Sequence, residues 1–183
     1  MKKIILGAFA IVAICSCNGG KTQKANDVDT TIMDIPEVTD TTVYGYCGEG
    51  TSMNALELII SRGDTVRCIV DQDAVNPVVK GGLAIGDRVA AIITVNADGE
   101  RVATNVINLT TLLGKWIAID QSFELKEGGV VISKIKEPHP LTEWHICNGA
   151  LILGTDTFNV YELGVDSLLL ENQKGIFAYK RLR

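Results

Sequence analysis

A series of turn pairs separates short β-prone runs from residue 41 to the end of the chain, and this pattern limits the fold more than any other feature. The pairs include Asp98-Gly99 and Asn148-Gly149, and the runs between them are rich in Val, Ile, Leu and Thr. Asp-Gly and Asn-Gly between apolar runs are strong hairpin signals, and many short strands indicate an all-β protein. Only residues 74–83 could form a short helix, and Pro77 limits it, so a loop is the alternative there.

Residues 41–110 form the first segment, with an irregular piece containing Gly81-Gly82 between its third and fourth strands. The predicted strands are 43–47, 55–61, 65–71, 87–95 and 101–107. This count and order resemble an OB-fold, a five-stranded Greek-key barrel. Residues 86–89, Gly-Asp-Arg-Val, are similar to the Gly-Asp-x-Val entry into a strand in many such barrels. The resemblance implies an OB-like β-barrel over this segment.

Residues 111–183 form the second segment, which opens with Leu-Gly-Lys-Trp at 113–116. Eight short strands are predicted, near 115–118, 122–125, 130–133, 143–147, 150–153, 158–163, 167–171 and 175–182. A Gly-x-Trp motif followed by an up-and-down β run resembles the lipocalin superfamily, and more closely the small lipocalin-like domains on anaerobe lipoproteins. The resemblance implies a small antiparallel barrel. The order of the two barrels also resembles, loosely, the NlpE family of envelope-stress lipoproteins, although the cysteine-pair motif of that family is absent.

The lipocalin resemblance implies a structural role for three residues. In lipocalins the tryptophan of the Gly-x-Trp motif packs at the closed end of the barrel, under an arginine from the last strand. Gly114 and Trp116 occupy the motif here, and Arg181 or Arg183 would cover the indole. A guanidinium over an indole contributes about 0.5–2 kcal/mol. Several large apolar side chains are predicted to fill the interior: Trp116, Phe123, Leu125, Trp144, Ile146, Leu151, Leu153, Phe158, Leu168, Leu170 and Ile176.

The N-terminus has the layout of a secretory signal peptide. Two lysines precede an apolar run over residues 4–14, which is too short to span a bilayer core that needs about 20 apolar residues. Ile14-Cys15-Ser16-Cys17 resembles a lipobox, with an aliphatic residue at −3 and a small residue at −1. We therefore expect cleavage after residue 16 and lipidation of Cys17. A plain signal peptide with a chance cysteine is the alternative.

Residues 17–40 are predicted to be a lipidated, flexible tether, because they are polar and charged and show no apolar period. A chain of that length spans on the order of 25 Å. The residues after Cys17, Asn-Gly-Gly, lack both an inner-membrane retention aspartate and the acidic run that directs some lipoproteins to the cell surface. The expected location is the outer membrane of a bacterial envelope, facing the periplasm.

Three further cysteines, Cys47, Cys68 and Cys147, follow the proposed lipid site. The expected compartment permits disulfides, and an odd number allows at most one internal pair. Cys47 and Cys68 are the expected pair because both fall in the first segment. The alternative is three buried thiols that act as small apolar side chains.

Candidate catalytic and metal residues are few. The densest group is His139, His145 and Cys147; strand alternation places His145 and Cys147 on one face, but two ligands are too few for a metal site. The acidic residues are scattered, and the chain has a net charge of −5 without a basic cluster, which makes it a poor binder of nucleic acid. We therefore expect no catalytic residues, no metal and no cofactor.

The sequence is compatible with two functions. The first is a membrane-anchored periplasmic binding module that contacts another envelope protein through barrel loops or an edge strand. The second is a carrier of a small hydrophobic ligand in the C-terminal barrel, which requires an empty interior of a few hundred Å³. An enzyme would require clustered titratable groups in a cleft, and the sequence offers none.

Overall fold

The computed structural model describes residues 39–60, 63–119, 121–133 and 141–182, all within one compact unit, Val38–Arg183. The predicted signal peptide, Cys17, most of the tether and His139 lie outside the described residues. Within the described part of the chain, no helix has both the length and the apolar character needed to cross a membrane. The fold is all-β, with a closed five-stranded barrel followed by a nearly closed eight-stranded antiparallel barrel, as the sequence predicted.

The first barrel contains five long strands and one short one. They are β1 (Val43–Cys47), β2 (Ala55–Ile60), β3 (Thr65–Val70), β4 (Val79–Lys80), β5 (Arg88–Val95) and β6 (Arg101–Asn108). The sheet order is β3-β2-β1-β5-β6-β4, and a parallel pairing of β3 with β6 closes the barrel. Apart from the short β4, this is the strand order of an OB-fold. Residues 74–83 contribute only β4, not a helix.

A short helix, α1 (Leu109–Leu112), joins the two barrels. The second barrel contains eight strands: β7 (Gly114–Ile117), β8 (Ser122–Lys126), β9 (Val130–Ser133), β10 (Trp144–Cys147), β11 (Ala150–Leu153), β12 (Asp156–Leu163), β13 (Ser167–Asn172) and β14 (Gly175–Leu182). β14 pairs with β7, so the first and last strands meet. The seam lies between β9 and β10, where a single bridge joins Val130 to Glu143.

Each barrel has its own apolar core. The first contains Leu56, Leu58 and Val89, all fully buried, and the second is larger and contains both tryptophans. Burying one such side chain stabilises a fold by about 1.5–3 kcal/mol. Ten of the eleven predicted interior residues are buried.

The prediction for Ile176 was wrong. Its side chain is 57% exposed because the register of β14 turns Phe177 and Tyr179 inward instead.

The core of the second barrel extends into the first. Ala90 and Ile107 from the first barrel belong to this core, as do Leu109 and Leu112 of α1. Asn108, which is 1% exposed, precedes the helix, and its side-chain oxygen accepts a hydrogen bond from the Thr111 amide at 3.0 Å. An asparagine at this position satisfies an amide that the helix leaves unpaired. The two barrels therefore share buried apolar contacts through α1.

Candidate binding groove

A cleft of about 320 Å³ lies where the two barrels meet. Its lining includes Tyr44 and Arg88 from the first barrel, Leu109 from α1, and Trp144 and His145 from β10. The volume falls at the lower end of the range of about 300–1,000 Å³ that is typical of ligand pockets. The cleft combines apolar walls with a small number of polar groups.

A second depression of about 220 Å³ adjoins the cleft on the outer surface of the first barrel. The two share Tyr44, Arg88 and Leu109, and the second continues over Tyr46 and Ile59. We call the cleft and this depression together the inter-barrel groove. Since both parts are open to solvent, an extended chain could follow the groove from one barrel to the other.

Strand alternation produces the exposed part of the groove. In β1, Cys47 is buried in the core, whereas Tyr44 and Tyr46 are 41% and 51% exposed. Tyr46 pairs with Ile59 on one side and with Arg88 on the other. Successive side chains on a strand point to opposite faces. Because Cys47 points into the core, Tyr44 and Tyr46 both point outward.

Arg88 is the cationic centre of the groove. Its guanidinium lies 6.0 Å from the centroid of the Tyr46 ring and 3.9 Å from the carboxylate of Glu127. The backbone amide of Arg88 donates to the Thr110 hydroxyl at 2.9 Å, which fixes the start of β5. The Glu127 side chain is 75% exposed, so solvent screens this long ion pair. The guanidinium therefore keeps donor capacity for a bound group.

Tyr44 connects the groove to the second barrel. Its hydroxyl donates to the backbone carbonyl of Ile146 at 2.6 Å, across the junction. Burial of the ring raises the pKa of Tyr44, so the hydroxyl remains protonated and can donate throughout the neutral range. This bond also occupies a carbonyl of β10, a strand on the seam of the second barrel.

A group of hydrogen bonds, which we call the Asp40 clamp, joins residues 40–42, just before β1, to Asn148. The Asp40 carboxylate accepts from the amide of Thr42 at 2.9 Å and from the amide of Asn148 at 3.0 Å. The Asn148 side chain in turn accepts from the amide and hydroxyl of Thr41, both at 2.9 Å. The Thr42 hydroxyl that donates to Asp40 lowers the pKa of that carboxyl. The clamp attaches the start of the first barrel to the β10–β11 turn.

A second contact joins the same turn to the first barrel. The Asn105 side chain donates to the carbonyl of Gly149 at 3.0 Å and accepts from the Lys80 ammonium at 2.9 Å. Gly149 has φ of +75°, and a Cβ there would collide with the Asn105 amide nitrogen. Glycine is required both by the backbone and by the close approach of the two barrels. Burial lowers the pKa of Lys80.

The three residues implied by the lipocalin resemblance lie together at one end of the second barrel. The guanidinium carbon of Arg181 is 4.2 Å from the centroid of the Trp116 ring, and its Nη1 donates to the Leu113 carbonyl at 2.7 Å. Gly114 has φ of +131°, and a Cβ there would collide with the guanidinium. The indole nitrogen donates to the Leu112 carbonyl at 2.9 Å. These contacts close that end of the barrel against α1.

The remaining sequence candidates do not form a site. Cys47 and Cys68 are separate buried thiols, so the expected disulfide is absent from the structure. They lie on β1 and β3, on either side of β2, and two strand spacings of about 4.8 Å exceed the Cα separation of about 4.4–6.8 Å that a disulfide needs. Burial raises the pKa of Cys47 to about 11.

His145 and Cys147 lie on the same face of β10, and His139 is outside the described residues. His145 is exposed and lines the inter-barrel groove, whereas the Cys147 thiol is half-buried beside Asn148. Over the ranges that the structure describes, no three His, Cys, Asp or Glu side chains gather closely enough to hold a metal ion.

The open end of the second barrel has a cavity of about 140 Å³, lined in part by Phe158, Phe177 and Tyr179. The Tyr179 hydroxyl donates to the Gln121 side chain at 2.9 Å across this opening. The cavity is less than half the volume of the inter-barrel cleft. A wider depression of about 370 Å³ lies on the β11–β12 and β13–β14 turns of this barrel, but its lining, residues 155–157 and 172–174, lacks the apolar walls of the inter-barrel cleft.

The sequence did not identify the inter-barrel groove. In the sequence, Arg88 stands out only within the Gly-Asp-Arg-Val entry to a strand, and no motif points to Tyr44 or Tyr46. One signal was available, because two tyrosines alternate with core residues in β1 and so mark an aromatic outer face.

Comparisons with protein families, curated proteins and solved structures give no match to this chain.

Proposed function

We propose that this chain is a lipid-anchored periplasmic binding module, and that the inter-barrel groove holds a segment of another envelope protein. The observation that carries the proposal is the continuity of two solvent-open depressions through Tyr44, Arg88 and Leu109. Tyrosine and arginine are enriched among the residues that dominate binding energy at protein interfaces. The groove supplies both, beside the apolar walls of α1 and β10.

The anchoring part of the proposal is supported by the sequence at Ile14-Cys15-Ser16-Cys17 and by the polar stretch that follows it. A multiply acylated cysteine would hold the body at a membrane, since stable anchoring requires more than one acyl chain. The proposed membrane is the outer membrane, with the body on the periplasmic side. A Cys17→Ala variant should then fail to incorporate labelled palmitate, which the wild type incorporates. Incorporation of the label by the variant would argue against lipid anchoring at this residue.

The groove has features expected of the centre of a protein interface. Tyr46 and Ile59 present adjacent apolar surface that is 51% and 39% exposed, and Arg88 lies beside them. A stable interface buries about 800 Å² on each partner, with an apolar centre and a polar rim. The exposed turn over residues 127–129 lies at the margin of the cleft and would belong to the rim.

A carrier of a small hydrophobic ligand in the C-terminal barrel remains the alternative proposal. It requires an interior of a few hundred Å³, whereas the cavity at the open end of that barrel measures about 140 Å³. Large side chains, among them Trp116, Phe123 and Leu151, occupy the interior. The groove therefore has more support as the binding site than the barrel interior.

The test compares two tyrosine variants of the lipidated chain, purified from detergent-solubilised envelopes. Tyr46→Ala removes an exposed ring from the groove, and Tyr161→Ala removes a ring of nearly equal exposure, 52%, from β12 of the second barrel. We expect a defined envelope protein to co-purify with the wild type and the Tyr161 variant, and to be at least tenfold depleted with the Tyr46 variant. Equal recovery with both variants would rule out the groove as the binding site.

A further inference from the structure

We infer that the inter-barrel groove selects an extended peptide segment in which an acidic side chain is flanked by apolar ones, and that Arg88 is the residue that selects the acid. This inference rests on the proposed function and specifies the chemistry of the partner. It follows from the charge of the groove, from its walls and from its shape.

The charge of the groove favours an acidic group. Of the described residues that line the two depressions, Arg88 is the one lysine or arginine, and Glu127 is the one carboxylate. Their separation of 3.9 Å exceeds a charge-assisted hydrogen bond of about 2.7–2.9 Å, and both side chains reach solvent. A ligand carboxylate could take a bidentate position on the guanidinium and displace only this weak contact.

The walls on either side of Arg88 favour apolar neighbours. In the cleft these walls are Leu109, Leu113 and Trp144, which come from α1, the residue after it and β10. In the other depression they are Tyr46 and Ile59. An acid that binds Arg88 therefore has apolar surface in both directions along the groove.

The shape of the groove favours a peptide over a compact small molecule. Arg88 and Tyr44 line both depressions, so the cation lies near the middle of the groove and not at its end. A small acid would fill one depression and leave the other empty. A peptide in extended conformation advances about 3.3 Å per residue and places alternate side chains on one face, so several residues could engage both depressions.

The net charge of the chain adds a selectivity condition. The full sequence has a net charge of −5, and loss of Lys2 and Lys3 with the signal peptide would make it more negative. The protein therefore repels acidic partners at long range, and Arg88 attracts them only at short range. A highly acidic segment without apolar residues should therefore bind poorly. A single acid with apolar neighbours suits the groove best.

The experiment measures the selection of random octapeptides by the lipidated chain in detergent micelles. We expect the wild type to enrich Asp or Glu at one position with apolar residues beside it, by at least fivefold over the input library. Arg88→Glu should reverse the preference at that position to Lys or Arg, and Arg88→Lys should retain a weaker preference for acids. Arg101→Glu, which reverses an exposed arginine on β6 outside the groove, should behave as the wild type does.

The outcomes separate this inference from the proposed function. Enrichment of apolar residues without acids, or a preference for acids that Arg88→Glu leaves unchanged, would overturn the role of Arg88 and leave the groove as a binding site. Selection of no peptide by the wild type would count against both proposals. Arg88→Lys retains the charge, so complete loss of its preference for acids, with thermal unfolding intact, would overturn selection by the charge of residue 88.

Discussion

The guanidinium of Arg181 lies over the indole of Trp116, with its carbon 4.2 Å from the ring centroid, although the two residues are 65 positions apart in the chain. The same guanidinium donates to the carbonyl of Thr111 in α1 and to that of Leu113, the residue after the helix. A residue of the last strand thus closes the barrel at its first strand and satisfies carbonyls at the junction with the other barrel.

Replacement of Arg181 should destabilise the protein through this closed end. Arg181→Ala removes a cation–π contact and hydrogen bonds to three carbonyls, those of Thr111, Leu113 and Val165, and we expect a loss of about 3 kcal/mol in the free energy of unfolding. Arg181→Lys keeps the charge but loses the planar fork, so we expect a loss of about 2 kcal/mol. Urea unfolding measures both, and Lys180→Ala at the exposed neighbouring position should cost less than about 0.5 kcal/mol. Equal effects at positions 180 and 181 would contradict this account of the barrel end.

Gly149→Ala tests the contact between the barrels. A Cβ at this position would be strained by the φ of +75° and would also collide with Asn105. Gly99→Ala is the matched control, since φ there is +82° but no atom lies within 4 Å of the added Cβ. We expect a cost of about 1 kcal/mol for the control and at least about 1 kcal/mol more at Gly149, because overpacking adds to the backbone strain. Similar free energies of unfolding for the two variants would show that the side chains at the junction between the barrels shift to accommodate the added Cβ.

Asn108→Ala tests the hydrogen bonds of the buried Asn108 side chain, which lies between β6 and α1. The side chain accepts from the Thr111 amide and donates to the Gly82 carbonyl at 2.9 Å and to Asp87 at 2.7 Å. Loss of a helix cap and of two donated hydrogen bonds by a buried side chain should cost about 3 kcal/mol in the free energy of unfolding. Asn159→Ala, at an exposed position on β12, is the control and should change stability by less than about 0.5 kcal/mol. A cost below 1 kcal/mol at Asn108 would show that water replaces its bonds.

The Asp40 clamp should make stability depend on pH in the acidic range. Hydrogen bonds to the carboxylate lower its folded pKa below the ordinary 3.8, so its contribution is complete above that value. The contribution is lost as the pH falls through the lowered folded pKa, where the carboxylate takes up a proton. The wild type should therefore be more stable than Asp40→Ala at pH 7, by about 1 kcal/mol for this exposed site, and the difference should shrink below pH 3.8.

Thermal unfolding between pH 7 and pH 2.5 measures this dependence. Asp98→Ala, at an exposed acid in the β5–β6 turn, is the control for general charge effects. A constant difference between the wild type and Asp40→Ala across the whole pH range would show that the carboxylate charge is not what holds the clamp.

The strands and their turns could be predicted from the sequence because their signals are local. The strands Val43–Cys47 and Val130–Ser133 have the predicted bounds, and the Asn148-Gly149 pair forms the expected turn between β10 and β11. The strand order of both barrels followed from strand count and resemblance. Alternation in β10 also placed Trp144 and Ile146 in the core, as observed.

Features that depend on distant pairing could not be predicted. The apolar side chain of Ile176 predicts an interior position, but its pairing with Glu171 sets a register that turns it outward. The expected Cys47–Cys68 disulfide does not form, because β2 lies between β1, which carries Cys47, and β3, which carries Cys68. The groove depends on the packing of one barrel against the other through α1. No local sequence pattern predicts which outer faces of the two barrels come into contact.

The most direct measurement is photo-crosslinking in living cells, with p-benzoylphenylalanine at position 46 or at position 161 of the lipidated chain. Both native tyrosines are about half exposed, but only Tyr46 lines the inter-barrel groove. A groove that binds an envelope protein predicts one discrete crosslinked product from position 46, lost on Tyr44→Ala substitution, and none from position 161. The same product from both positions, or none from position 46, would contradict the groove as the site of binding.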